Sequence, residues 1–215
     1  MKLSGWFVLY ICILLTPIVA SSAESPDPVG EIVFAKRDGT ISSIYRMRAD
    51  GSNPVLVFKH TDARNSNALF PHWVDDMRRI QFAAMENGQW KTFSCTRDGQ
   101  DVHIDPDAPR MEFTQSVFPD GLSVEFGDLF YTPPLKARIR LFHYVSRGAD
   151  DAGDGGAQAV AWSPDHRWVI FSACLSQNSR SNNPCHIYIV TPDGKRRRDL
   201  GPGQEPDWGI SIRAH

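Results

Sequence analysis

The sequence predicts an all-β fold, and more specifically a small β-propeller of about four four-stranded blades. A short phrase, in which an aromatic or apolar residue precedes a turn, recurs at positions 73, 117, 162 and 208, so its copies lie 44, 45 and 46 residues apart. A period of roughly 40–50 residues made only of strands and turns is what one propeller blade occupies. Sustained helical periodicity is not found after residue 23, and Asp-Gly pairs typical of tight turns recur in three of the units.

The turn phrase is the most regular part of the repeat. Its best copy spans residues 161–171, weaker copies span 71–82 and 117–126, and a fragment opens at 205–208. We expect the recurring aromatic rings to fill the space between blades, and the carboxylates to accept hydrogen bonds from nearby backbone N–H groups. The residues predicted to set the turns and the blade cores are Trp73, Asp76, Asp120, Trp162, Asp165 and Trp208.

The strands of each unit follow a common plan. An apolar strand leaves the turn, a polar loop follows, and a second strand alternates apolar and polar residues. We predict the first of these strands at 79–83, 122–126 and 168–173, and the second at 44–47, 90–95, 139–145 and 187–190. The Asp-Gly turns follow at 50–51, 98–99 and 193–194, and a more polar strand closes the unit, as at 55–58 and 102–104.

The third unit departs from this plan. No Asp-Gly pair follows its second strand, predicted over Ile139–Val145, and an acidic, glycine-rich stretch, Arg147–Gln158, replaces the usual end. The sequence therefore predicts an inserted loop or a degenerate blade at this point.

The two ends of the repeat region complement each other. The first unit starts directly at a strand, Glu31–Ala35, whereas the last unit, Gln204–Ile212, has only the segment beside the turn phrase. If the C-terminal segment forms the inner strand of the N-terminal blade, four blades close without two exposed sheet edges. Four is the low end of the usual number of blades, so both a monomer and a homodimer that completes a larger ring remain open.

The N-terminus has the features of an export signal. Lys2 precedes an uncharged apolar run, Trp6–Ala20, and Ser21-Ser22-Ala23 supplies small residues for cleavage. We predict a signal peptide over 1–23, a flexible lead over 24–29 and one propeller domain over 30–212, with an uncleaved membrane anchor as the alternative. Export would place the mature protein in the periplasm or outside the cell, without stable membrane insertion.

Three cysteines remain after residue 23. Cys174 ends one predicted strand and Cys185 begins the next, so the two face each other across the base of a loop. We predict a disulfide between them, with two free thiols as the alternative, since export permits oxidation. Cys95 is expected to pack as a small apolar residue.

The repeat resembles that of TolB-like propeller proteins. The resemblance rests on Trp162-Ser163-Pro164-Asp165, on Ile187-Tyr188 followed by Asp193-Gly194, and on Ile44-Tyr45 followed by Asp50-Gly51, and it covers about residues 30–212. His166 stands where the family phrase has a turn glycine, and the chain has no room for six blades plus a separate N-terminal domain. The resemblance implies a periplasmic platform that binds envelope proteins on one face or in its central channel, without a cofactor.

Signals for catalysis or metal binding are weak. Asp150, Asp151 and Asp154 resemble the start of a calcium loop, but Ala152 and Ala161 stand where oxygen ligands are needed. His72 lies beside a turn-phrase tryptophan and is the strongest candidate metal ligand, although the chain has no HExxH motif and no Gly-x-Ser-x-Gly nucleophile elbow.

The sequence therefore favours a non-catalytic protein-binding propeller over its alternative, a small propeller enzyme or carbohydrate-binding protein with a metal or sugar site at the channel mouth. A net charge of −2 argues against a dedicated nucleic-acid binder. We expect specificity for an envelope or secreted protein partner to reside in two loops, because surface loops carry most binding residues. The candidate binding residues in them are Asp150, Asp151, Asp154, Asn178, Arg180 and Asn183.

Overall fold

The computed structural model describes residues 26–60, 67–108, 120–144, 155–174 and 185–209. Within these ranges fifteen β-strands form four antiparallel sheets, three with four strands and one with three. The described ranges contain no helix long and apolar enough to cross a membrane. The predicted all-β propeller of four units is confirmed.

The strands are short and are separated mostly by short turns. Their bounds in chain order are β1 (Glu31–Asp38), β2 (Ile41–Arg48), β3 (Val55–Phe58), β4 (Ala68–Val74), β5 (Arg79–Glu86), β6 (Gln89–Thr96), β7 (His103–Ile104), β8 (Leu122–Glu125), β9 (Asp128–Tyr131), β10 (Ile139–Phe142), β11 (Gly156–Trp162), β12 (Val169–Cys174), β13 (His186–Val190), β14 (Arg197–Pro202) and β15 (Gln204–Gly209).

Blade 1 contains both ends of the described chain. Its strand order is β15-β1-β2-β3, so the C-terminal strand is the inner strand of the N-terminal sheet. β15 runs antiparallel to β1, with Glu31 opposite Gly209 and Ile32 opposite Trp208. The predicted pairing of the two chain ends is therefore present, and it covers the edge that β1 would otherwise expose.

Blades 2 and 4 are complete four-stranded sheets. Blade 2 has the order β4-β5-β6-β7 and blade 4 the order β11-β12-β13-β14. In both, the strand before the turn phrase is innermost and the chain moves outward one strand at a time.

The strands of blade 3 differ from those predicted for the third unit. Its described strands have the order β10-β9-β8, and β9, at Asp128–Tyr131, is the second strand. The segment from Ile139, predicted as the second strand, is the third, and it ends at Phe142 rather than Val145. The difference arises at Phe126, which is not the end of a strand but begins a tight hairpin turn with Gly127, and this turn leads into β9.

The predicted insertion Arg147–Gln158 also needs correction at its C-terminal end. Gly156, Ala157 and Gln158 belong to β11 and pair with Cys174, Ala173 and Ser172 of β12. Residues 145–154 lie outside the described ranges.

Among the described residues, the hydrophobic core lies between blades, in three clusters. The cluster between blades 1 and 2 is centred on Val33, Ile44, Phe82 and Phe93. The cluster between blades 4 and 1 is centred on Ile32, Trp168 and Ile189. The cluster between blades 3 and 4 is centred on Leu129, Val169 and Phe171. Successive residues of β1, such as Ile32 and Val33, face opposite sides of the sheet, which lets blade 1 contribute to two clusters.

Candidate functional site

The two ends of the blades differ in what they present. One end, called the turn rim, carries the turn phrases and the Asp-Gly turns. The other end, called the connecting rim, carries the β1–β2, β5–β6 and β8–β9 turns, and the strands that flank 61–66, 145–154 and 175–184 also end there. The turn rim thus consists of short turns, and the connections between blades leave from the connecting rim.

The best turn phrase is organised by Asp165. Its Oδ1 accepts hydrogen bonds from Ser163 Oγ at 2.6 Å and from Arg167 N at 3.2 Å, while Ser163 Oγ accepts one from Trp168 N at 2.9 Å. His166, which stands in place of a glycine, has φ of 55°. Asp165 therefore satisfies backbone and hydroxyl donors that the tight turn leaves without partners.

The other predicted turn carboxylates act differently. Asp120 lies in an exposed turn and accepts a hydrogen bond from Trp162 Nε1 at 3.3 Å through its main-chain oxygen. Asp76 is exposed in a turn in which Asp75, Asp76 and Met77 all have positive φ. The turn phrase of blade 2 consequently has a different backbone from that of blade 4.

The three recurring tryptophans each lie in a different cluster between blades. Trp73 packs against the cluster of blades 1 and 2, Trp162 against that of blades 3 and 4, and Trp208 within that of blades 4 and 1. The Trp208 indole also donates a hydrogen bond to Val29 O at 2.9 Å, and Arg198 pairs with Asp27 at 2.9 Å. Two residues of the segment expected to be a flexible lead therefore contact the propeller.

The inner strands share a β-bulge that was not predicted from the sequence. Phe70, Ala159 and Glu205 each stand three residues before the turn-phrase tryptophan and have φ of 54°, 48° and 53°. The pairing of each strand with its neighbour shifts register at this point. Because a non-glycine residue in the left-handed region recurs at the same position of three inner strands, the bulge is a regular feature of this repeat.

Two carboxylates of β15 use these bulges to bind the neighbouring blade. Glu205 Oε2 accepts a hydrogen bond from Phe70 N at 2.7 Å, and Asp207 Oδ2 accepts one from Trp73 N at 2.8 Å. Burial raises the pKa of Glu205 to about 7, and it also raises the pKa of Asp207, opposed by the Trp73 N–H and His72. The closing strand thus holds blade 2 through side chains while it pairs with β1 through its backbone.

His72 takes part in a chain of polar side chains. One ring nitrogen, Nε2, lies 3.1 Å from Gln81 Oε1, and Gln81 Nε2 donates to Asp105 Oδ2 at 2.8 Å. Across the described part of the chain, no three His, Cys, Asp or Glu side chains are grouped so that they could hold a metal ion.

The connecting rim carries an aromatic side chain with unusual exposure. Phe126, at the tip of the β8–β9 hairpin, is 100% exposed. It has φ of 51° and is followed by Gly127 with φ of 84°; at the equivalent turn of blade 2, Asn87 and Gly88 have φ of 51° and 77°. Asparagine and glycine suit this turn, whereas a bulky residue at positive φ is strained. Blade 3 therefore places an exposed phenylalanine where blade 2 has a residue favourable to the turn.

A disulfide joins Cys174 to Cys185 at the same rim, at the base of residues 175–184. Asn178, Arg180 and Asn183 lie in that segment, and Asp150, Asp151 and Asp154 lie in 145–154, so all six predicted binding residues fall outside the described ranges. Cys95 is buried with a free thiol, and burial raises its pKa to about 11.

Sequence reasoning missed Phe126, Glu205 and Asp207. A partial signal existed for the bulges, since Pro71 and Pro206 both stand two residues before a turn-phrase tryptophan. For Phe126 the signal was the following glycine, because a residue-Gly pair between two short apolar strands is typical of a hairpin.

Comparison with known proteins gives likeness of fold only. No family model matches the chain. No curated protein matches it. Among solved structures it is similar to TolB from Acinetobacter baumannii, at 13% identity and a TM-score of 0.46 over 87% of this chain and 68% of that one. A structure assigned to TolB from Agrobacterium tumefaciens matches at 15% identity and a TM-score of 0.30, over 82% and 64% of the two chains.

A nidogen/laminin complex matches at 12% identity and a TM-score of 0.27, over 80% of this chain and 61% of that one. This chain spans about two thirds of the length of the two TolB chains that it matches. At these identities the likeness is one of fold, and function has to be argued from the side chains of this protein.

Proposed function

We propose that this protein is an exported, non-catalytic binding module that holds a protein partner on its connecting rim. The observation that carries the proposal is Phe126, a fully exposed aromatic side chain on a strained turn. Strained residues at positive φ cost about 1–3 kcal/mol each and cluster at functional sites. An exposed phenylalanine contributes nothing to the core, so stability of the fold gives no reason for this choice.

The surroundings of Phe126 suit a binding anchor. On one side, Glu125 pairs with Arg138 at 2.6 Å; on the other, Asp128 accepts hydrogen bonds from Tyr144 N at 2.6 Å and contacts His143 Nδ1 at 3.0 Å. Protein interfaces commonly place an apolar anchor inside a polar rim, and aromatic residues are enriched among the anchors. The partner would offer an apolar pocket with polar groups around it.

Export is supported by the disulfide and by the leader. Disulfides persist in oxidising compartments such as the periplasm and the outside of the cell. A bond between Cys174 and Cys185 fits that environment, and the apolar run before Ser21 supplies a route to it. Edman sequencing of the purified mature protein, with Glu24 as the first residue, is the expected result.

The binding proposal is tested with a pair of matched variants. Phe126→Asn removes the anchor and installs the residue that blade 2 uses at the same turn. Leu135→Asn is the control, because Leu135 also has positive φ, at 58°, and is fully exposed on the same blade but lies on the turn rim. Each tagged protein is crosslinked in intact cells, and the captured proteins are quantified by mass spectrometry.

Burying a phenylalanine contributes about 1.5–3 kcal/mol, so F126N should lower recovery of the partner by about tenfold or more, while L135N leaves it unchanged. Because Asn relieves backbone strain, the free energy of unfolding of F126N should be equal to or above that of the wild type. Equal recovery with all three proteins would contradict the proposal.

A further inference from the structure

The structure describes three hairpin turns on the connecting rim, and they differ in what surrounds them. Gly39 of the β1–β2 turn and Gly88 of the β5–β6 turn are exposed, and a Cβ on either would meet nothing within 4 Å in the described part of the chain. Gly127, beside Phe126 in the β8–β9 turn, is half-buried, and a Cβ on it would lie 2.8 Å from Tyr144 Cδ1. The turn that carries the exposed phenylalanine is therefore the one of the three that packs against other residues.

One side of this turn lies on blade 4. Gly156, the first residue of β11, comes so close that a Cβ on it would lie 2.3 Å from Gly127 Cα, and Ala157 N donates a hydrogen bond to Gly127 O at 2.9 Å. Gly156 pairs with Cys174, which the disulfide joins to Cys185. The hairpin thus contacts, backbone to backbone, an end of β11 that its pairing with β12 holds in place.

The other side of the turn lies on the ring of Tyr144. A Cβ on Gly155 would lie 2.0 Å from Tyr144 Oη, so the ring fits between Gly127 and Gly155 because neither residue has a side chain. Tyr144 N also donates a hydrogen bond to Asp128 Oδ1 at 2.6 Å, directly after the turn. Together, Tyr144, Gly155 and Gly156 form the hairpin support.

Burial of Phe126 does not account for this support. The cluster around Leu129 and Val169 already joins blades 3 and 4, whereas Phe126 at the tip of the hairpin is 100% exposed. Blade 2 has the same kind of turn, with Asn87 and Gly88 both exposed. What the support changes is the freedom of the turn, because a backbone with contacts on two sides has fewer conformations than one that projects into solvent.

We propose that the hairpin support holds the backbone of Phe126 in its binding conformation before the partner arrives, which makes Gly127, Gly156 and Tyr144 positioning residues. The role in binding rests on the function proposed above, whereas the rigidity of the turn does not. Association costs free energy for each loop or side chain that it orders, so an anchor on a turn that is already ordered binds more tightly. The support acts on the backbone of Phe126, since the ring is fully exposed.

The rigidity of the turn is tested on the wild-type protein by nitrogen-15 relaxation of the backbone amides. The Gly127 amide should have an order parameter of about 0.85, the value of rigid backbone, while Gly39 and Gly88 give lower values. Hydrogen exchange of the Ala157 amide, which donates to Gly127 O, should be slow. An order parameter at Gly127 no higher than those at Gly39 and Gly88 would overturn the proposal.

The role in binding is tested with Gly156→Ala, in which the new Cβ pushes the turn away from β11. Gly201→Ala is the matched control, because Gly201 has φ of 102° against 105° for Gly156, and a Cβ on it would meet nothing within 4 Å among the described residues. The two variants therefore share the backbone strain and differ in the contact with Gly127. Tyr144→Ala removes the other side of the support without adding strain.

Partner recovery is measured by the crosslinking assay used for Phe126→Asn. We expect G156A and Y144A to lower recovery about three- to tenfold and to speed up exchange at Ala157, while G201A recovers as much partner as the wild type. Wild-type recovery with G156A and Y144A, together with faster exchange at Ala157, would overturn the positioning role. If F126N also recovers as much partner as the wild type, the proposed function fails, and the relaxation measurement alone decides the rigidity of the turn.

Discussion

Glu205 should make the stability of this protein depend on pH in a direction opposite to that of most carboxylates. Its side chain is largely buried on β15 and accepts one hydrogen bond, from Phe70 N at 2.7 Å. Burial raises its pKa from 4.5 to about 7. The folded state therefore holds the Glu205 proton more tightly than the unfolded state does.

The sign and size of this pH dependence follow from the difference between the pKa of Glu205 in the folded and in the unfolded state. The contribution of Glu205 to stability is fully present below pH 4.5 and is lost as the pH rises through 7, because the folded protein then carries a buried ionised carboxylate. A shift of about 2.5 units at about 1.4 kcal/mol per unit corresponds to about 3 kcal/mol at pH 8. Glutamine has the same shape, stays neutral at every pH and can still accept from Phe70 N.

The assay is urea denaturation of the wild type and Glu205→Gln at pH 4.5 and pH 8. Near pH 4.5 the two proteins should unfold at similar urea concentrations. At pH 8 the variant should be more stable, by up to about 3 kcal/mol. An equal difference at both pH values, or a variant that is less stable at pH 8, would refute the reasoning.

The remaining predictions concern the turns and the disulfide, and each is read by urea denaturation. Gly99→Ala should lower the free energy of unfolding by about 2 kcal/mol or more, because the new Cβ would lie 2.2 Å from Val57 O and the residue has φ of 82°. Gly39→Ala is the control and should cost less, because its Cβ would meet nothing within 4 Å. Equal losses in the two variants would contradict the close packing of the Gly99 turn on β3. Asp165→Ala should lower the free energy of unfolding by about 1–2 kcal/mol, because the Arg167 N–H and the Ser163 hydroxyl lose their acceptor. An unchanged free energy of unfolding would show that water replaces the Asp165 carboxylate as acceptor. Replacing Cys174 and Cys185 together with alanine should cost about 3 kcal/mol for a loop of 11 residues, and reductant should affect the wild type only.

The parts of the fold that the sequence could predict are those set by local pattern. The alternation of apolar residues located most of the strands, and the mismatched ends of the first and last units predicted the pairing of β15 with β1. The Cys174–Cys185 bond follows from two strands that a single loop connects. Each of these depends on neighbours in sequence or on the period of the repeat.

The parts that could not be predicted depend on contacts between blades or on a residue that departs from its turn type. Phe126 occupies a hairpin position that usually takes Asn, Asp or Gly, so the strand predicted over 122–126 extends one residue into the β8–β9 turn. The hydrogen bonds of Glu205 and Asp207 join residues 135 and 134 positions away along the chain, and no spacing rule connects them.

The most direct test of the account places a photoreactive benzoyl-phenylalanine at position 126 in the protein expressed in intact cells, with the same group at position 135 as the control. Both positions are fully exposed on blade 3, at opposite rims. Irradiation should give one discrete protein adduct from position 126 and none from position 135. No protein adduct at position 126, adducts to lipid only, or the same adducts from both positions would contradict binding of a protein partner at Phe126.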